Sequence, residues 1–107
     1  MDRQKRIHEF SLAAHHLAVE RLRERPERLR EAVEVLNRWR VLAGGASHCD
    51  AYWNEWERLL NEGVDAVEAA VCAADDRAAT LRSVSPLGRF ISVGERNRLL
   101  GEARARS

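Results

Sequence analysis

Lysine is almost missing from this sequence: of 18 basic residues, only Lys5 is not arginine. With the abundance of alanine, that bias is what a GC-rich bacterial genome produces. It also supplies planar, multi-donor guanidinium groups, which suit carboxylate and phosphate contacts. Cysteine is scarce too. Cys49 and Cys72 are the two thiols; they form no Cys-x-x-Cys pair and make no disulfide framework, so the expectation is two buried, reduced thiols. Proline and glycine number only two and six, which argues against a strand-and-turn architecture and for long helices. No apolar run approaches the roughly 20 residues that span a bilayer. No signal-peptide core follows the charged residues 1–6. These absences predict a cytoplasmic protein with no membrane contact.

What remains is a 107-residue chain that is 45% hydrophobic and 33% charged. That is enough apolar content for a folded core and a length that fits one domain, residues 1–107. A chain of this size leaves about a third of its unfolded surface exposed, so its core is modest. The net charge of +1 hides a segregation. Residues 1–48 carry ten bases and seven acids, +3; residues 49–76 carry Arg58 against eight acids, −7; residues 77–107 carry seven Arg against two Glu, +5. An acidic middle lies between basic ends.

Hydrophobic spacing predicts an all-α fold, a compact bundle of five or six helices, with no strand and no internal repeat. Helix one spans about Arg3 to Glu24, with Ile7, Phe10, Ala14, Leu17 and Ala18 on one face. A second stripe, His8, Leu12, His15, Val19 and Leu22, lies on another side and calls for a neighbour. Pro26 opens helix two, whose inward residues are Leu29, Ala32, Val33, Leu36 and Trp39, and Gly44-Gly45 stops it. Ser47 is placed to cap helix three, with Tyr52, Trp53, Trp56, Leu59 and Leu60 on its face. Asp65 and Glu68 form a capping pattern for helix four. That helix either continues to Val84 or breaks at Asp75-Asp76. Ser85-Pro86-Leu87-Gly88 is a breaker, Phe90 and Ile91 tuck onto the core, and Ser92-Val93-Gly94-Glu95 is a capping box for a last helix. Its end is expected to fray.

Catalytic constellations are thin. His15-His16 and His48-Cys49 are adjacent pairs whose side chains diverge on a helix, and His8 with His15 lacks a third ligand, so no metal is expected. Arg3-Gln4-Lys5-Arg6-Ile7-His8 has an Arg-x4-His spacing found in helical ribonucleases but no supporting acid. Gly45-Ala46-Ser47 followed by Glu55 and Glu57 lacks the strand that a nucleotidyltransferase metal site needs. No phosphate-binding loop, nucleophile elbow or zinc-protease helix is present. No cofactor and no enzymatic activity are expected.

The aromatic cluster is different. Trp53 and Trp56 sit near the centre of their arc, as core anchors do. Tyr52 sits at its edge beside acids, where a protein-binding hot spot would be. With these residues in view, the chain resembles small all-helical bacterial antitoxins of type II toxin–antitoxin pairs. The resemblance lies in Leu36-Asn37-Arg38-Trp39, in Tyr52 through Leu60, and in Leu81 through Gly88 followed by Glu95-Arg96. It implies an antitoxin that neutralises a neighbouring toxin, often of nucleotidyltransferase type, by direct contact, and it implies no catalytic residue.

The expected partner is therefore a cognate toxin with a basic site. The acidic segment would face it through Asp50, Tyr52, Glu55, Glu57 and Glu62, with His8, Leu12, His15 and Val19 as a second surface. Three other expectations compete. One is a DNA-binding regulator using Arg82, Arg89, Arg96 and Arg98. Another is a homodimer that buries the second stripe of helix one. The last is a helical enzyme using His15 or His48.

Overall fold

The computed structural model describes residues 3–45 and 47–105. Ala46 of the Gly45-Ala46-Ser47 stretch, and residues 106–107, where fraying is expected, lie outside them. The chain is all-α: α1 (Arg3–Glu24), α2 (Leu29–Ala43), α3 (Asp50–Glu62), α4 (Val64–Val71), α5 (Asp76–Ser83) and α6 (Val93–Ala105). Two 3₁₀ turns, Pro26–Arg28 and Gly88–Phe90, lead into α2 and towards α6. The radius of gyration, 13.9 Å, is close to the ~13 Å of a single globule of this length.

α1 is the central element. It packs against α4, α5 and α6, which is why it carries two apolar stripes. Ala14, Ala18, His15, Val19 and Leu22 are all buried, so the deep half of the second stripe is covered within the chain. That removes the reason for a dimer through it. Leu36 of α2, Trp56 and Leu60 of α3, Val67 and Val71 of α4, Leu81 of α5, and Leu87 and Phe90 of the last turn complete one continuous core. Trp56 is fully buried, and its Nε1 donates to the Leu81 carbonyl at 2.9 Å. The indole thus ties α3 to the end of α5 while leaving no polar atom of its own unpaired.

Local chemistry explains most boundaries. Gly44 ends α2 in the left-handed region, φ 68°, which costs a glycine nothing sterically. Gly63 alone separates α3 from α4, with φ 117° and ψ 178°, a conformation essentially confined to glycine. The break expected at Asp75-Asp76 falls earlier, over residues 72–75, and Asp76 already opens α5, which Asp75 caps by accepting from the Ala78 amide at 2.7 Å. Ser92 and Glu95 form the reciprocal capping box: the Glu95 amide donates to Ser92 Oγ at 3.1 Å, and the Ser92 amide donates to Glu95 Oε1 at 2.9 Å.

Three local expectations are corrected. Asp65 and Glu68 do not cap α4, which starts one residue earlier, at Val64, with no side-chain cap. Their carboxylates instead receive the Arg23 guanidinium of α1 at 2.7 and 2.6 Å. Ser47 does not cap α3 directly; Cys49 is the boundary residue, with no side-chain cap, while Ser47 Oγ accepts from the Cys49 amide at 3.2 Å and Asp50 Oδ2 accepts from the Ser47 amide at 3.0 Å. Both thiols are half-buried, not fully buried.

Candidate protein-binding surface

α2 and α3 pack against each other as an antiparallel hairpin, the end of α2 beside the start of α3. Inside the hairpin Trp39 meets Trp53, ring centroids 6.3 Å apart. On one flank Arg40 donates to Asn54 at 2.9 Å and to both oxygens of Glu57 at 3.1 and 3.2 Å. At about 100° per residue, Leu42 lies about 60° from Trp39 on the other flank. Tyr52 lies about 100° from Trp53, also away from Asn54. Leu42 and Tyr52 therefore share the flank opposite the Arg40–Glu57 pair, with Val41 on the outer crest of α2.

These side chains are open. Val41 is 78% exposed, Leu42 77% and Tyr52 37%. A Trp39–Trp53 contact puts the last turn of α2 level with the start of α3, so Leu42 has only the loop beyond it. Two adjacent aliphatic side chains left this exposed form the apolar centre of a candidate docking patch.

The acids expected at this surface are engaged at home. Glu55 receives Arg58 at 2.6 Å and Arg77 of α5 at 3.2 Å. Glu62 pairs with the same Arg58, and these bonds, Glu55 first, hold the Arg58 guanidinium above its ordinary pKa. Glu57 pairs with Arg40. Asp50, half-buried, holds the Ser47 amide. Of the five residues expected at this surface, Tyr52 is exposed, while the four acids have intramolecular partners.

The second expected surface divides. His8 is exposed and Leu12 half-buried, but His15 is 8% exposed and Val19 1%. Those two belong to the core, because α1 has neighbours on more than one side; the expectation that they meet a partner is corrected.

The basic set for a nucleic-acid reading also scatters. Arg82 is 7% exposed, and its Nη1 donates to the Val71 and Ala73 carbonyls at 2.7 and 2.9 Å. It closes the frayed C-terminal end of α4 and is unavailable to phosphate. Arg89 pairs with Glu31 at 3.4 Å and Arg98 with Glu102 at 3.9 Å. Arg96 lies over the Phe10 ring, 5.3 Å from its centroid.

No family model, curated protein or solved structure matches this chain.

Among the described residues no group of three or more His, Cys, Asp or Glu is placed to hold a metal ion, and no helix is long and apolar enough to cross a membrane. His48 stands exposed in the loop before α3, whereas His15 is sealed against Trp56, with ring centroids 6.5 Å apart. Val41 and Leu42 went unremarked in the sequence because they follow the inward series of helix two. The available signal was the early stop at Gly44, which leaves no further turn to carry a cover.

Proposed function

We propose that this chain is a protein-binding module of antitoxin type, docking a partner where the end of α2 lies beside the start of α3. The observation that carries the reading is the adjacent, more than three-quarters exposed pair Val41 and Leu42. Tyr52 lies on the same flank, with Glu55 beyond it on the outer side of α3. Apolar side chains with a carboxylate beside them suit a partner with an apolar groove and a basic group at its edge, as an RNA- or nucleotide-directed toxin would have. Tyr52 supplies the amphipathic ring common at binding hot spots. Glu55, held by Arg58 and Arg77, adds a polar edge on that side. The toxin identity of the partner rests on the resemblance described above.

The test is co-expression of the tagged chain with its genomic neighbours, followed by capture and mass spectrometry. A basic, toxin-sized protein recovered with the native chain, and lost with Val41→Glu/Leu42→Glu, supports the reading. Recovery unchanged by the double substitution removes the patch. Recovery of no neighbour removes the protein-binding function.

A second reading, nucleic-acid binding, is favoured by a different basic set. Arg3 and Arg6 of α1 meet Arg104 of α6 around a cleft of about 290 Å³. Such a cluster would give salt-dependent binding. A flat mobility-shift assay at low salt with double-stranded DNA removes it.

A further inference from the structure

Most arginines of this fold are neutralised at short range. Among the described residues eight of them meet a carboxylate, from Arg21 on Glu95 to Arg98 on Glu102. Among the same residues Arg3, Arg6, Arg96 and Arg104 meet none, and all four lie along the seam between α1 and α6. The two acids of α6 already have partners, Glu95 in Arg21 and Glu102 in Arg98. Glu9 of α1 lies about 100° round the helix from Phe10, away from the seam. Four guanidinium charges therefore stand together without a counter-ion.

The seam between them is apolar. The cleft of about 290 Å³ that Arg3, Arg6 and Arg104 border is otherwise lined by Ile7, Phe10, Leu100 and Ala103. A second cleft, of about 340 Å³, shares Ile7 and Phe10 with it and continues to Leu87 and Ile91, with Arg96 on its wall. Together they follow α1 from Arg3 to Ala14, about 16 Å of helix. Ile7 is 50% exposed, and Arg96 lies over the Phe10 ring, so apolar surface and positive charge reach solvent side by side. A phosphate backbone laid across the arginines leaves both clefts unfilled. A nucleobase fills one, because it is flat, has apolar faces and packs on aromatic rings and guanidinium planes. Each cleft is close to the about 300 Å³ at which small-molecule sites begin, which suits a ring. A base in a duplex enters such a cleft only by leaving its stack, at a cost; a base in a single strand is already free.

We propose that the α1–α6 seam binds single-stranded nucleic acid, with phosphates on Arg3, Arg6, Arg96 and Arg104 and an unstacked base against Ile7, Phe10 and Leu100. The inference rests on the nucleic-acid reading of the same cleft and adds the strandedness of the ligand. An acidic peptide has the right charge, but its sequence must place a carboxylate beside each apolar side chain, whereas every nucleotide carries a phosphate beside its base. The seam is formed by α1 and α6, so it stands or falls independently of the Val41–Leu42 patch.

The experiment is fluorescence anisotropy of the full chain at low salt with four labelled probes: oligo(dT), the oligo(dA)·oligo(dT) duplex of the same length, an abasic strand with the same number of phosphates, and a peptide of alternating Glu and Leu. All three nucleic-acid affinities should fall as salt is added, since phosphate contact releases counter-ions. Oligo(dT) should bind roughly tenfold more tightly than the abasic strand and severalfold more tightly than the duplex. Ile7→Ser, at a half-exposed position, should keep the helical circular-dichroism spectrum, weaken oligo(dT) severalfold and leave the abasic strand unchanged. Salt-sensitive binding in which oligo(dT) is no tighter than the abasic strand, or no tighter than the duplex, overturns the single-strand inference and leaves the nucleic-acid reading standing. Unchanged oligo(dT) affinity in Ile7→Ser does the same. Binding of no oligonucleotide removes both, and tighter binding of the peptide than of every oligonucleotide gives the seam to an acidic protein segment instead.

Discussion

Replacing Val41 and Leu42 together with serine separates a free surface from one covered within the chain. Each side chain keeps roughly a quarter of its area or less covered in the monomer, since the residues are 78% and 77% exposed. Full burial of such a side chain is worth about 1.5–3 kcal/mol, so the covered fraction is worth well under 1 kcal/mol at each position. Serine near a helix end adds only a few tenths of a kcal/mol through propensity. The double variant should therefore lose no more than about 1 kcal/mol of stability, measured by urea unfolding followed by circular dichroism. Binding has the opposite expectation. If a partner buries most of the exposed area, the same change removes about 2–4 kcal/mol, or roughly 30- to 1,000-fold in affinity. A stability loss beyond about 2 kcal/mol would refute the reasoning, because it would mean that the hairpin end already covers these residues. Neutral stability with unchanged affinity for a captured partner would refute the docking assignment alone.

Other expectations concern the core and its ionisable groups. Trp56→Phe leaves the buried Leu81 carbonyl without its 2.9 Å donor and opens space in the core, so urea unfolding should show a loss of about 2–4 kcal/mol; a loss below about 1 kcal/mol would contradict the anchoring role. The hydrogen bond from Arg21, with help from the Ser92 amide, holds the Glu95 carboxyl at about 2, against an ordinary value of 4.5. Its stabilising contribution is full above about 4.5 and disappears as pH falls towards 2; Glu95→Gln should flatten that stretch of the stability–pH curve, and an unchanged acid limb would count against the pair. Burial lowers the His15 imidazole pKa below its ordinary 6.5, and the nearby Arg82 charge acts the same way against the opposing Ser11 bond. Its NMR titration midpoint should fall below 6.5, and its contribution to stability should be present above 6.5 and decline as pH drops below it, when the unfolded chain takes up the proton first.

Much of the fold was legible because its signals are local. The Ser92–Glu95 capping box, the Gly44 stop and the Asp75 break each depend on residues within four positions of one another. Trp56 was identifiable as a core anchor from its place in the apolar arc. The candidate site was less legible, because it depends on what other helices cover. His15 and Val19 share a periodic stripe with exposed His8, and only the placement of α4, α5 and α6 decides which of them is buried. Arg82 reads as one more basic residue of a positive segment, yet it reaches back to carbonyls 11 and nine positions earlier. Asp65 and Glu68 match a capping pattern at the right spacing, but a guanidinium from Arg23, 42 and 45 positions away, takes both carboxylates. Spacing within a helix carries no information about such distant partners.

The charge pattern shows most clearly how folding changes a sequence-level argument. The acidic middle, residues 49–76, reads as a field that would steer a basic partner. In three dimensions, arginines from both basic ends fold onto it: Arg23 onto Asp65 and Glu68, Arg40 onto Glu57, and Arg77 onto Glu55. Opposite charges a few ångströms apart cancel beyond a Debye length of about 8 Å at physiological salt, so little long-range steering survives from these acids. Charge reversal at Glu55 or Glu57 would also strand the arginines that they hold, which makes it a poor probe of binding. For the proposed docking, what remains at this end of the molecule is short-range: the Val41–Leu42 crest, the Tyr52 ring, and carboxylates whose arginines a partner's basic groups would have to displace. Exposed pairs of this kind are individually worth only about 0–1 kcal/mol, so such an exchange is nearly neutral in energy and the apolar contact decides the affinity.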